Sequence, residues 1–264
     1  MEAIKAQKAT LLETCCQWIL HDRELLDWLA SDDSRIWWIS GDPDKGTTMM
    51  LAYLVSKLPE QLNASSRLLV AYFFCRRDSP SLRAAAAVLR GLIYILVVQQ
   101  PDLSRHVLKH YNDGGEKRRF FEDSNSFYAL QRILADIFAD KSLPGIYFLV
   151  DECGSGKENL LKPITTDVSN AATKIKWLVT SQNILAIGER FKPDGQRRNT
   201  SLEMNSLFVC RAVELYVDSR VAELAILKEY DDTLQNEVPK VLKDKENGTV
   251  LWVALACRQL ESVP

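Results

Sequence analysis

The stretch Gly41-Asp-Pro-Asp-Lys-Gly-Thr-Thr48 carries the residue types from which a phosphate-binding loop is built. The pattern G-x-x-x-x-G-K-[S/T] uses each position for a reason. Glycines allow backbone angles that turn successive N–H groups toward phosphate oxygens. The helix that follows adds its positive N-terminal end, a lysine reaches the outer phosphates, and a Ser or Thr hydroxyl ligates Mg²⁺. Gly41, Gly46 and Thr48 occupy their places, but Thr47 stands where the lysine belongs. Pro43 and Lys45 complete the loop, with Lys45 a substitute cation whose side chain starts two residues early. On the motif alone the loop reads as a working nucleotide site, a degraded one, or a plain Gly/Pro turn before a helix.

A second group of residues favours a nucleotide site. Ile146-Tyr-Phe-Leu-Val-Asp151-Glu152 is an apolar strand pattern ending in two acids. Asp151 stands where a P-loop ATPase holds Mg²⁺, and Glu152 is beside it to activate water. Gly154-Ser-Gly-Lys157 resembles the tail of a phosphate loop, yet Asp151 replaces its first glycine and Glu158 its hydroxyl residue, so it reads as a turn. His106 and His110 have the i, i+4 spacing of a metal pair, but no third ligand lies near them in sequence, and they read as surface residues. No Ser/His/Asp or Cys/His arrangement is readable.

These residues are positioned by a chain whose apolar runs and helical patterns alternate. Ile36–Ser40, Arg67–Cys75, Gly145–Val150 and Lys174–Thr180 read as strands, with a fifth expected at Ser201–Met204. Arg67–Cys75 is expected to be buried on both faces. Helices are expected over Leu11–Leu29, over Met49–Leu58 with Pro59 as its stop, and over Leu82–Gln100, Leu103–Tyr111 and Phe127–Ala139. From Ser206 onward only helices follow. Trp37, Trp38, Trp177 and Trp252 lie in apolar runs and read as core. Strands alternating with helices indicate a parallel sheet with right-handed crossovers.

Bulk properties narrow the partners. The 264 residues carry a net charge of −2, which gives no broad electrostatic case for nucleic acid or an anionic membrane. The doublets Arg76-Arg77 and Arg197-Arg198 and the run Lys117-Arg118-Arg119 read as solvated loops. No apolar run approaches the ~20 residues of a membrane span, and the N-terminus lacks a signal-peptide core. Six scattered cysteines without a C-x-x-C pair suit a reducing cytoplasm.

Taken together, WWISGDPDKGTTM, AVLRGLIYILVVQQP, FLVDEC, KIKWLVTSQN and LWVALACRQLESVP resemble the NACHT-type NTPase module of fungal STAND, or NLR-like, proteins, from about Leu11 onward. The resemblance implies an α/β P-loop NTPase of the ASCE type, three layers around a central parallel sheet, followed by a small helical subdomain. Residues 1–34 would form a helical lead-in, 35–205 the NTPase domain and 206–264 a truncated helical subdomain. It also implies ATP or GTP with Mg²⁺ as cofactor, bound by Gly41, Pro43, Lys45, Gly46, Thr47 and Thr48. Thr48 and Asp151 would hold the metal, and Asp151 and Glu152 would be catalytic. Such modules are nucleotide-operated switches for self-assembly, so protein partners or self-association are expected.

The departures from the family fall on the chemistry. Asp44 replaces a glycine and Thr47 the lysine. Val150-Asp151-Glu152-Cys153 is shorter than the family's Asp-x-x-Asp-Glu-Cys run, so Asp151 matches either of two family positions. Ser181-Gln182-Asn183 stands where the family carries a sensor arginine. A lysine–phosphate bond is worth about 1.5–3 kcal/mol, and a carboxylate roughly 6 Å from a phosphate costs about 2–3 kcal/mol. The sum, about 3.5–6 kcal/mol, is roughly 300- to 20,000-fold in affinity. The expectation is a degenerate pseudo-NTPase acting through protein interaction; the alternative is a working ATP- or GTP-hydrolysing switch.

Overall fold

The computed structural model describes residues 13, 15–42, 45–62, 68–75, 85–113, 126–143, 145–151, 174–183, 185–190, 197–202, 206–245 and 250–262. Five strands form one parallel sheet: β1 (Arg35–Ser40), β2 (Leu69–Phe73), β3 (Ile146–Val150), β4 (Ile175–Ser181) and β5 (Arg197–Ser201). Their order is β2-β3-β4-β1-β5. β1, which feeds the glycine loop, therefore lies beside β4 and one strand away from β3, which ends at Asp151. Because all neighbours are parallel, loop and carboxylate emerge at the same carboxyl edge of the sheet. That edge is where open α/β sheets bind ligands. The fold is the P-loop NTPase architecture.

Helices cover both faces. They are α1 (Arg23–Ala30), α2 (Thr47–Gln61), α3 (Ala85–Gln99), α4 (Ser104–Asp113), α5 (Ser126–Phe138), α6 (Leu185–Arg190), α7 (Ser206–Leu227), α8 (Asp232–Lys245) and α9 (Val250–Ser262). Short 3-10 turns precede α1 at Gln17–His21 and α4 at Pro101–Leu103. Side-chain alternation along each strand divides the core in two. Trp38, Phe148, Val150, Trp177 and Val179 pack under α3 and α5 on one face. Trp37, Ile39, Tyr147, Leu149 and Leu178 pack under α1, α2 and α7 on the other. Trp37, Trp38 and Trp177 are buried as expected, whereas Trp252 is partly exposed.

Three expectations need correction. Pro59 does not stop its helix: α2 runs on to Gln61, and Leu62 N–H still reaches the Leu58 carbonyl at 2.9 Å. A proline in the last turn removes one backbone bond, and the buried Met50, Leu51, Tyr53, Leu54 and Leu58 hold the rest. The fifth strand is Arg197–Ser201, not Ser201–Met204. The Arg197-Arg198 doublet is thus strand, and Arg198 is partly buried 3.6 Å from Glu24. β2 is an edge strand rather than one buried on both faces, with Tyr72 40% exposed. The Gln99 side chain takes the missing neighbour's place there. It accepts from the Val70 N–H at 3.2 Å and donates to the Val70 carbonyl at 2.8 Å.

Helix α1 is tied to the sheet by polar contacts within the core. Asp22 caps α1 through the Glu24 and Leu25 N–H groups. At the other end, the fully buried Lys176 of β4 donates to the carbonyls of Trp28 and Leu29, the latter at 2.9 Å. Its ammonium also sits 5.6 Å from the ring centres of Trp28 and of Tyr147. A cation on the carbonyl end of a helix meets the favourable end of its dipole.

Candidate functional site

Asp151 is the centre of the site. It follows the last residue of β3, is 1% exposed, and its N–H is bound to the Phe73 carbonyl at 2.9 Å. Each carboxylate oxygen accepts from a threonine: Oδ2 from Thr48 Oγ1 at 2.8 Å, Oδ1 from Thr180 Oγ1 at 2.6 Å. Thr48 lies in the first turn of α2 and is exposed, whereas Thr180 is buried. With its proton committed to Asp151, the Thr48 oxygen turns its lone pairs outward. That is the orientation a hard cation would need. Among the described residues, no group of three or more His, Cys, Asp or Glu side chains is placed to hold a metal by itself.

The loop closes by backbone bonds. Gly41 N–H binds the Ser181 carbonyl at 3.1 Å, and Lys45 N–H binds the Asp42 carbonyl at 3.2 Å. Gly46 has φ 86° and caps α2, and its carbonyl accepts from Met50 N–H at 2.9 Å. This left-handed geometry favours glycine, because a Cβ would strain against its own carbonyl. Thr47 turns its methyl toward Gly41: a Cβ built on Gly41 would lie 3.0 Å from Thr47 Cγ2 and 3.0 Å from Leu202 Cδ1. The side chain in the lysine's position is short and packed against the base of the loop. Thr48 and Asp151 thus present oxygen atoms of the type a divalent cation takes, while position 47 presents no lysine.

The comparisons with known proteins bear on this arrangement. The family described as nephrocystin 3, N-terminal, matches residues 14–182, which span the glycine loop, Asp151 and β4. The chain belongs to this family. A curated relative, the vegetative incompatibility protein HET-E-1 of Podospora anserina, is 36% identical over 260 residues. That alignment covers 97% of this chain and 19% of the relative, so the chain spans about a fifth of the relative's length. The fungal NACHT-type resemblance is therefore borne out, and the chain is a NACHT-type, NTPase-like module. Among solved structures, Drosophila ORC bound to DNA aligns with TM-score 0.47 and 13% identity, over 83% of this chain and 57% of that one. C. elegans PCH-2 aligns with TM-score 0.44 and 14% identity, over 96% and 59%. At these scores the likeness carries no role across to the NACHT-type module.

Of the residues singled out in the sequence, Gly41, Lys45, Gly46, Thr47, Thr48 and Asp151 come together at one edge of the sheet. Pro43, Asp44 and Glu152 lie outside the described residues, as do Cys153 and the Gly154–Lys157 turn. His106 and His110, read as surface residues, are instead largely buried on α4, their side chains 17% and 18% exposed, each against an aspartate. The doublet Arg76-Arg77 and the run Lys117-Arg118-Arg119 also fall outside the described residues. Among the described residues no helix is long and apolar enough to cross a membrane, and Cys15, Cys16, Cys210 and Cys257 are in no disulfide. Sequence reasoning missed Thr180. Its signal was register: Val150 pairs with Val179, so the residue after each strand position falls Asp151 beside Thr180.

Proposed function

We propose that this chain is a NACHT-type nucleotide-binding regulatory module whose phosphate site is degenerate, and that it acts in the cytoplasm through protein contacts or self-association in fungal NLR-like signalling. The observation that carries the reading is the state of position 47. A threonine packed on Gly41 stands where the phosphate-binding cation belongs, while Thr48 and Asp151 keep the metal half intact. In this reading Gly41, Pro43, Lys45, Gly46, Thr47 and Thr48 line the nucleotide position, and Asp151 and Glu152 are the remnants of the hydrolytic pair. Bound Mg²⁺ would supply charge neutralisation between the nucleotide phosphates. The chain's own part is to orient the Thr48 oxygen through Asp151.

Calorimetry of the purified chain with ATP, ADP, GTP and GDP, with and without Mg²⁺, tests this. Binding weaker than micromolar is expected. Restoring the cation with Thr47→Lys should tighten ATP binding by about 10- to 100-fold, the worth of one charge-assisted phosphate bond. Micromolar binding by the wild type, or no gain in Thr47→Lys, overturns the proposal.

The Thr48–Asp151–Thr180 contacts favour one second reading, a working ATP- or GTP-hydrolysing switch with Lys45 as the cation. It requires Mg²⁺-dependent turnover that vanishes in Asp151→Ala. No turnover at millimolar ATP or GTP ends it.

A further inference from the structure

Helix α4 is held to the rest of the molecule in an unusual way. None of its described side chains is fully buried; Val107 alone is packed against the core, and the anchor Leu103 lies in the preceding turn. What fastens α4 to α5 and to the turn after it is a ladder of charges. His106 Nε2 lies 2.9 Å from Asp140 Oδ2, and one turn on, His110 Nε2 lies 2.9 Å from Asp136 Oδ2. Each aspartate also takes a permanent cation, Arg105 on Asp140 and Lys109 on Asp136 at 2.9 Å. The histidines lie four residues apart, the spacing that puts side chains on one helix face, whereas Asp136 is on α5 and Asp140 lies two residues past its end. Between α3 and α4, with Leu130 of α5 also in its lining, lies an open apolar groove of about 300 Å³ walled by Ile93, Val97, Val107 and Leu108.

We propose that His106 and His110 make α4 a proton-operated latch, clasped to α5 and the turn after it beside this apolar groove when the imidazoles are charged and loosened when they are neutral. Histidine is the side chain that changes charge across the neutral range. A protonated imidazole 2.9 Å from a carboxylate makes a charge-assisted hydrogen bond, whereas a neutral one makes an ordinary bond and only in one tautomer. Arg105 and Lys109 oppose the added charge, but they reach the aspartates from more exposed positions, where solvent screens them. The coupling is visible from the other partner. The bond from His106 is the largest cause holding the Asp140 carboxyl well below the usual carboxylate range, followed by the hydroxyl of Ser142. Asp136 is also held low, first by Lys109 and then by His110.

The other charged groups on the elements packed around α4 are Asp102 in the preceding turn, Arg132 on α5, Lys141 beyond Asp140, and Arg90 across the groove. Among the described residues of these elements the histidines are His106 and His110. This inference does not depend on nucleotide binding.

Hydrogen exchange of the full chain by mass spectrometry, at pH about 5.5 and about 7.5 and corrected for intrinsic rates, tests the latch. Protection of α4 relative to α3 should fall about three- to tenfold on going to the higher pH, the size expected of two partly exposed charge pairs. In a His106→Gln, His110→Gln double variant, which keeps a donor without the charge, the ratio should be flat with pH. A flat ratio in the wild type, or an unchanged slope in the glutamine variant, overturns the proposal. The wild-type measurement decides alone if the double variant does not fold.

Discussion

Replacing Lys176 by methionine should change how stability depends on pH, and the size follows from where the lysine sits. Its ammonium is fully buried between Trp28 and Tyr147, with Lys174 and Arg35 nearby. Burial, and then those two cations, lower its pKa to about 7. The unfolded chain holds the proton up to about pH 10.4. Between these values the unfolded state binds more protons than the folded one, so folding releases a proton and stability rises with pH. Below about pH 7 both states are protonated and the effect is constant. Integrated from pH 7 to pH 9, the gain is about 2 kcal/mol. Lys176→Met fills nearly the same volume and cannot titrate. Urea unfolding of both proteins at pH 7 and pH 9 isolates the difference, because every other group is common to them. The wild type should gain about 2 kcal/mol relative to the variant. An equal response to pH would mean that the carbonyls of Trp28 and Leu29 hold the proton on as strongly as burial drives it off, and would refute the reasoning.

Gly46→Ala should destabilise the chain by about 1–2 kcal/mol in urea unfolding, because φ 86° disfavours any Cβ; an unchanged midpoint would contradict this backbone geometry. Thr180→Val removes the hydroxyl from Asp151 Oδ1 and should cost about 1.5–3 kcal/mol, while Thr180→Ser should recover most of it. Equal losses in both variants would show that the methyl, not the hydroxyl, matters. Gln99→Leu exposes the Val70 N–H and carbonyl on the open edge of the sheet and should promote self-association, read by light scattering after size exclusion. A mass independent of concentration in the variant would show that the edge needs no such protection.

The strands nearest the site were the most legible. β1, β3 and β4 are central, so their residues are apolar on both faces and the runs stand out. Edge strands hide their identity. β5 reads Arg-Arg-Asn-Thr-Ser, a polar string that burial does not force into an apolar pattern, so the sequence points to Ser201–Met204 instead. β2 misleads the other way: its apolar residues read as two buried faces, whereas Tyr72 is exposed and, among the described residues, Gln99 bonds the open edge. The glycine loop and Asp151 were visible because their residue types are tied to a backbone conformation and a charge. Thr180 was not, since a threonine at the end of a strand looks like any β-branched strand former until register sets it beside Asp151. Lys176 was invisible for a similar reason. Nothing local distinguishes a lysine that caps a helix far away in sequence from one that points to water.

The placing of Lys176 and Thr180 on one strand has a mechanical consequence. Lys176 grips the end of α1, and four residues later Thr180 grips the carboxylate of Asp151. A strand advances about 3.3 Å per residue, so roughly 13 Å of β4 connects the two grips. β4 is bonded on both sides, to β1 and to β3, and behaves as a stiff rod. A pull on α1 therefore either breaks the lysine cap or loads the rod that ends at the Asp151 clasp. The helix entering the domain and the acid at its centre are the two ends of a single lever.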